Sequence, residues 1–354
     1  MFDPEWKAIS AARMSPTHPS LLDRSPQMSG EEIAASLTPP RQFDGAGLDN
    51  YRPDPDYPSQ AEAVDKVRAF AAGWSASGGG GGLFSRRKAK VPDVKPGIYL
   101  DGGFGVGKTH LLAALWKLAP GRKYFGTFIE YTALVGALGY AATVQLLRGS
   151  SLVAIDEFEL DDPGDTMMMT RLLGELADSG TRLAATSNTP PNALGEGRFA
   201  AVDFLREIHA LGARFDVVRI DGLDYRRRDV EGHAVAVAES DLESTLAAAG
   251  ASVTLDDFSA VLRHLATVHP SRYVKLVDGL DVVGLREVHV LENQTDALRF
   301  VAIVDRLYDA QVRVVASGVP FDEAFGDEML AGGYRKKYLR AISRLIALTH
   351  GARE

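Results

Sequence analysis

Eight residues in the first third of the chain, Gly102-Gly103-Phe104-Gly105-Val106-Gly107-Lys108-Thr109, follow the spacing G-x-x-x-x-G-K-[ST]. The pattern has a physical meaning at only one place in a fold, where a strand ends, turns through glycines and starts a helix. Glycine lets successive backbone N–H groups wrap a phosphate without Cβ clashes, and the helix N-terminus adds a favourable dipole. The flanks supply that context. Gly97-Ile98-Tyr99-Leu100-Asp101 is a short apolar strand, and Thr109–Leu118 places Leu111, Leu112, Leu115 and Leu118 at helical spacing. Lys108 would reach the β- and γ-phosphates and the Thr109 hydroxyl would ligate Mg²⁺. The residues expected against a nucleotide run from Gly102 to His110.

Further strands are predicted at Thr127–Tyr131, Leu152–Ile155, Leu183–Thr186 and Val217–Ile220, with a helix over Thr166–Ala177 among them. Buried, non-alternating strands that alternate with helices imply an α/β fold, a parallel sheet covered on both faces. The second strand run ends in Asp156-Glu157. A carboxylate at that position, downstream of a phosphate loop, would hold Mg²⁺ (Asp156), and its neighbour would orient the attacking water (Glu157). Asn188, after the next strand, is placed to meet the γ-phosphate. No Asn-Lys-x-Asp guanine-reading element occurs, which favours ATP over GTP. Arg198 is the candidate to neutralise charge on the γ-phosphate, acting on a neighbouring subunit's nucleotide. Arg226 and Arg299 are weaker candidates. His110, His209 and His264 show no metal-ligand spacing.

Three regions are expected: residues 1–95, loop-rich with one helix over Ala61–Ala72 and a tether of five glycines, Gly78–Gly82; residues 96–228, the nucleotide core; and residues 229–354, an α/β region that is mostly helical. Within the last, helices are expected at Ala234–Ala249, Leu255–Thr267 and Tyr334–Thr349, around a strand–helix–strand unit Glu287–Leu291, Thr295–Asp309, Val312–Ala316. The chain has 354 residues and no cysteine, which excludes disulfides, thiol catalysis and cysteine-ligated zinc. A net charge of -8 argues against a general nucleic-acid coat. The Arg86–Lys90 cluster could make a peripheral membrane contact, although a solvated loop is the plainer reading. With neither a signal peptide nor a run of roughly 20 apolar residues, a cytoplasmic location is expected.

In order and spacing, Asp156-Glu157-Phe158, the acids ending at Asp165, Thr186-Ser187-Asn188 with Pro190-Pro191, Arg198-Phe199 and Asp224-Tyr225-Arg226 resemble the ZapE-type cell-division ATPases, relatives of a mitochondrial inner-membrane-associated ATPase. Tyr51–Gln60 and Leu307-Tyr308-Asp309 followed by Val312–Ala316 extend the resemblance over most of the chain from about residue 40. It implies a P-loop NTPase core of the AAA+ type, ATP hydrolysis with Mg²⁺, ring-like or transient homo-oligomers, and a role at the division site through the tubulin-like protein FtsZ. Two departures stand out. Phe128-Ile129-Glu130-Tyr131 replaces the family's Phe-His-x-Phe-Met element, and the five-glycine insertion is unusual. Gly107-Lys108-Thr109-His110-Leu111-Leu112 also looks like helicase loaders and replication initiators, so a DNA-binding ATPase stays open. A non-enzymatic adaptor with a relic nucleotide fold is the third reading.

Overall fold

The computed structural model describes residues 18–77, 95–158, 163–191, 194, 205–223, 233–249 and 252–350. Arg198, Arg226, the five-glycine run and the Arg86–Lys90 cluster lie outside the described residues.

Strands β1 (Gly97–Gly102), β2 (Lys123–Thr127), β3 (Leu152–Asp156), β4 (Arg182–Ser187) and β5 (Phe215–Ile220) form one sheet in the order β2-β3-β4-β1-β5. Every pairing is parallel. Alternate strand residues enter separate cores: Tyr99, Val153, Ile155, Leu183 and Phe215 on one face, Ile98, Leu100, Leu152, Ala154 and Val218 on the other. This explains strands that read as unbroken apolar runs, since both faces are covered. Helices α3 (Lys108–Leu118), α4 (Phe128–Leu138), α5 (Tyr140–Leu147), α6 (Pro163–Asp178) and α7 (Leu205–Gly212) supply much of that cover, joined by α2 (Pro58–Ser77). The order brings the carboxyl ends of β3, β4 and β1 side by side, where a parallel sheet places its ligands.

Four local expectations are corrected. The strand expected over Thr127–Tyr131 is instead the end of β2 and the start of α4. Thr127 caps that helix, and Glu130 reaches back to the Thr127 N–H at 2.6 Å, a reciprocal box that overrides the β-rich Phe-Ile-x-Tyr composition. The helix expected over Ala234–Ala249 begins only at Glu239, after the two-residue strand β6 (Ala236–Val237). The helix expected over Leu255–Thr267 splits into β7 (Val253–Asp257) and α9 (Phe258–Leu265), with Asp257 accepting from the Ala260 N–H at 2.8 Å as its cap. The strand expected over Glu287–Leu291 lies earlier, as β8 (Val282–Val288). Gly284 masked it: a Cβ there would stand 2.9 Å from the Thr254 carbonyl oxygen, so close β7–β8 packing demands the residue that weakens the strand signal.

With β9 (Arg313–Gly318) these strands build a second parallel sheet, β6-β9-β8-β7. Helices α8 (Glu239–Ala249), α9, α10 (Tyr273–Val277), α11 (Gln294–Asp309), α12 (Asp327–Ala331) and α13 (Arg335–His350) accompany it. The segment before α2 ties both sheets together. Pro19 accepts from the Leu255 N–H at 3.2 Å, and Leu21 is buried in the second core. Helix α1 (Gly30–Ser36) follows, and the Leu37 carbonyl then accepts from the Phe125 N–H of β2 at 2.9 Å. No helix among the described residues is long and apolar enough to cross a membrane.

One side chain adds to the apolar packing that holds helix α2. Arg182, at the start of β4, lays its guanidinium 3.7 Å from the Phe70 ring centroid and 4.9 Å from that of Trp74, and donates to the Phe70 carbonyl at 2.6 Å. A cation–π contact and a charged hydrogen bond each contribute about 1–3 kcal/mol when partly buried. Arg182→Ala should therefore lower the stability by about 2 kcal/mol. Urea unfolding would show the midpoint falling with its slope unchanged.

Candidate active site

Gly102 ends β1 where no other residue fits, because a Cβ would sit 2.2 Å from the Ile220 carbonyl oxygen of β5. Gly107 caps α3 in the left-handed region, φ +82°, with the Tyr51 ring against it. The Tyr51 hydroxyl donates to the Val106 carbonyl at 2.7 Å. His110 Nε2 lies 2.9 Å from the Gly47 carbonyl, so the segment before α2 is fastened over the loop at both residues. The Lys108 ammonium is buried and donates to the Gly102 carbonyl and to Asn188 Oδ1, each at 2.9 Å. Lys108 and Asn188 thus come together from β1's loop and β4's end.

Asp156 is buried at the end of β3. The Thr109 hydroxyl lies 3.1 Å from both of its oxygens, and the Thr186 hydroxyl donates to Oδ1 at 2.5 Å. Burial pushes the Asp156 carboxyl up to about 6 and the charge of Glu157 adds to this, against the opposing hydroxyl bonds and Lys108. Removing a carboxylate from water favours its neutral form, so a cation beside it would regain lost charge stabilisation. A threonine hydroxyl and a carboxylate are hard oxygen donors of the kind magnesium takes, the remaining ligands coming from phosphates and water. Among the described residues no cluster of three or more His, Asp or Glu forms a metal site by itself.

Glu157 follows with φ +56°, uncommon for a residue with a Cβ and a sign of local strain. Its N–H donates to the Thr186 hydroxyl oxygen at 3.0 Å, and the Phe158 N–H to the Thr186 carbonyl at 2.7 Å. Thr186 therefore holds Asp156 and the turn of Glu157 with one side chain. The Glu157 carboxylate meets Arg340 at 3.0 Å and Arg344 at 3.6 Å, both on α13 of the second unit. Asp305 on α11 pairs with the same two arginines, at 2.7 Å to Arg340. Burial acts to raise the Asp305 carboxyl, but Arg340, Arg344 and Arg306 outweigh it and hold it below its ordinary range. Arg306 pairs with Glu130 at 3.3 Å and Asp309 at 3.6 Å.

These groups line one cavity of about 640 Å³, a size suited to a cofactor or nucleotide. The phosphate loop, Asp156, Glu157 and Asn188 form one wall; Asp305, Arg306, Asp309, Arg340 and Arg344 form the other. Arg299 also lines it, 3.1 Å from its own-helix partner Asp296. Sequence reasoning missed Thr186 as an anchor and the whole second wall. One signal was present: Arg340/Arg344 and Asp305/Asp309 are pairs four apart, which share a helix face.

Two outcomes test this geometry. Thr186→Val keeps the shape of the side chain but loses its hydroxyl, which supports both acids. Turnover should fall about 10–100-fold, as for other groups that orient a metal ligand, while the unfolding midpoint moves little. Asp309 is shifted upward although Arg306 lies 3.6 Å away: burial raises its carboxyl to about 7, Arg344 and Arg306 only partly opposing. The folded chain then retains a proton that the unfolded chain releases near 3.8, so this contribution to stability is full below about pH 4 and lost as pH rises through 7. Asp309→Asn should remove that loss, and its melting temperature should gain on wild type between pH 4.5 and 7.5.

The model of the AFG1-like ATPase family matches residues 28–247 and 233–353. Cell division protein ZapE of Escherichia coli is 27% identical over 307 residues, covering 75% of this chain and 81% of that protein. Lactation elevated protein 1 homolog B of Danio rerio is 22% identical over 303 residues, covering 70% and 60%. Among solved structures, domain III of the Thermotoga maritima replication initiation protein DnaA superposes with a TM-score of 0.37 at 18% identity, over 52% of this chain and 69% of that one. A likeness that slight carries no weight beside the family match, which spans both units and the whole cavity. The chain belongs to the AFG1-like ATPase family and is an ATP-hydrolysing enzyme with an α/β P-loop fold.

Proposed function

We propose that the cavity binds Mg²⁺-ATP on the Gly102–Thr109 loop and that hydrolysis there drives remodelling of a protein assembly at the division site through FtsZ. The observation that carries the reading is the convergence of Lys108, Thr109, Asp156, Glu157 and Asn188 at the carboxyl ends of β1, β3 and β4. The backbone amides of the loop and Lys108 hold the β- and γ-phosphates. Thr109 and Asp156 hold the magnesium ion, which when bound neutralises charge that develops on the phosphates. Glu157 orients the attacking water and accepts hydrogen bonding from it, and Asn188 keeps Lys108 aimed at the γ-phosphate. Arg198, supplied by a second copy in a ring or a transient oligomer, completes the charge balance. The E. coli relative that spans 81% of its own length with this chain is a cell division protein, which supports the assembly reading.

The test is ATP turnover against protein concentration, with and without polymerising FtsZ, for wild type, Glu157→Gln and Arg198→Ala. Turnover per chain should rise with concentration, respond to FtsZ, stop when EDTA removes magnesium, and fall about 10²-fold or more in Glu157→Gln. Arg198→Ala should keep nucleotide binding and lose hydrolysis. Turnover indifferent to concentration would end the role of Arg198 in a neighbouring subunit. Turnover indifferent to FtsZ but raised by single-stranded DNA would replace the division reading with that of a replication ATPase.

A further inference from the structure

The two sheets share one strand order: β2-β3-β4-β1 in the first corresponds to β7-β8-β9-β6 in the second, with every pairing parallel. The correspondence reaches single residues. Thr127 and Asp257 cap the helices after β2 and β7, and Phe128 and Phe258 follow them into the cores. The Ser151 N–H donates to the Arg122 carbonyl at 2.7 Å, and the Asp281 N–H to the Ser252 carbonyl at 2.9 Å. Gly149 and Gly279 are left-handed, φ +73° and +70°, just before β3 and β8. Glu157 donates its N–H to the Thr186 hydroxyl oxygen; Glu287, φ +55°, donates its own to Ser317 Oγ at 3.2 Å. Gly180 and Gln311 enter β4 and β9 at positive φ, followed by Thr181 N–H to Leu176 carbonyl at 3.0 Å and Val312 N–H to Leu307 carbonyl at 2.9 Å. Counterparts keep a constant separation from Arg122/Ser252 to Glu157/Glu287, which lengthens by a single residue before Gly180/Gln311. Handedness rules give unrelated α/β units similar strand orders. They do not give them the same left-handed residues at the same chain spacing, since positive φ is uncommon for a residue with a Cβ.

The units differ where a nucleotide would sit. Gly103–Gly107 separate β1 from α3, whereas Ala238 alone separates β6 from α8. The charges are also exchanged. In the first unit the strand carries the acid, Asp156, and the helix start carries Lys108; in the second the strand carries Arg286 and the helix start Glu239. Glu239 pairs with Arg286 and accepts from the hydroxyl of Ser317, the counterpart of Thr186, while Arg286 also reaches Glu243 at 2.6 Å. The Ser317 bond, more than the Arg286 pairing, holds the Glu239 carboxyl below its ordinary range. A carboxylate at the helix start repels phosphate, and a guanidinium on the strand repels magnesium. We infer that the second unit is a duplicate of the nucleotide unit that lacks the phosphate loop, and that Glu239 is its built-in anion, joining helix start to strand ends where the first unit takes a nucleotide. The second unit is closed to nucleotide and holds its strand ends together without one, so each chain carries a single nucleotide and the cavity has one fixed wall. This rests on the assignment of the Gly102–Thr109 loop made above.

The experiment combines Mg-ADP stoichiometry by equilibrium dialysis with amide hydrogen exchange at Glu157 and Glu287, read by NMR. Wild type, Glu239→Ala and Asp241→Ala are compared; Asp241 is another acid in the first turn of α8 and serves as the control for helix-start charge. Wild type should bind one ADP per chain, and ADP should slow exchange at Glu157 but not at Glu287. Glu239→Ala should speed exchange at Glu287 about tenfold, leave Glu157 and ADP binding as they are, and differ in this from Asp241→Ala. Equal effects of the two variants, or none at Glu287, would reduce Glu239 to an ordinary surface acid and overturn the built-in anion. A second ADP per chain, or protection of Glu287 by ADP, would overturn the closed duplicate. ADP affinity reports folding. If Glu239→Ala fails to bind ADP, Glu239→Gln, which keeps the shape and loses the charge, replaces it and should still speed exchange at Glu287. A wild type that binds no ADP would sink the loop assignment, while the response of Glu287 to Glu239→Ala would still decide the role of Glu239.

Discussion

A carboxylate buried at the end of β3 sets the terms for the rest of this site. Removing Asp156 from water costs several kcal/mol unless its oxygens are answered, and two threonine hydroxyls answer them from different elements. Thr109 comes with the first turn of α3, so its bond ties the acid to the phosphate loop. Thr186 comes with β4 and also accepts the Glu157 N–H, so the acid after the strand is turned by the same contact. The parallel register makes this possible: Ile155 pairs with Ala185 and Leu100 with Thr186, which sets the three strand ends level. A one-residue slip would turn Thr186 to the other face and leave Asp156 unanswered.

The second unit closes the cavity through charge as well as apolar packing: Leu298 and Val301 line it, and Val274 packs against the first core. Three arginines and four acids from α11, α13 and the first unit meet in a space largely shut off from water. Buried ion pairs contribute little net stability, because desolvation nearly offsets attraction, but breaking one partner is costly. The segment before α2 spans the same boundary, from Leu21 in the second core to Tyr51 on the loop, and limits how far the units can part.

Local signals made the first unit legible. The glycine spacing, the strand ends at Asp156 and Asn188, and the two-faced apolar strands all act over a few residues, where side-chain type dictates backbone geometry. The second sheet was harder to read for equally local reasons. Gly284 broke an apolar strand, β6 is two residues long, and the Asp257 cap sits where strand and helix patterns overlap. At Thr127 a capping box overruled a strand-like composition.

By itself the sequence determined that a phosphate loop stands between strand and helix, that acids follow a buried strand, and that a parallel sheet carries them. Each of these is written in contiguous residues whose steric and hydrogen-bonding limits allow little else. Only the tertiary structure decided what faces those acids. Glu157 and Arg340 are far apart along the chain, and no periodicity links them. Their meeting depends on how α11 and α13 pack on the second sheet and on where that sheet docks, and those are outcomes of the whole fold's packing.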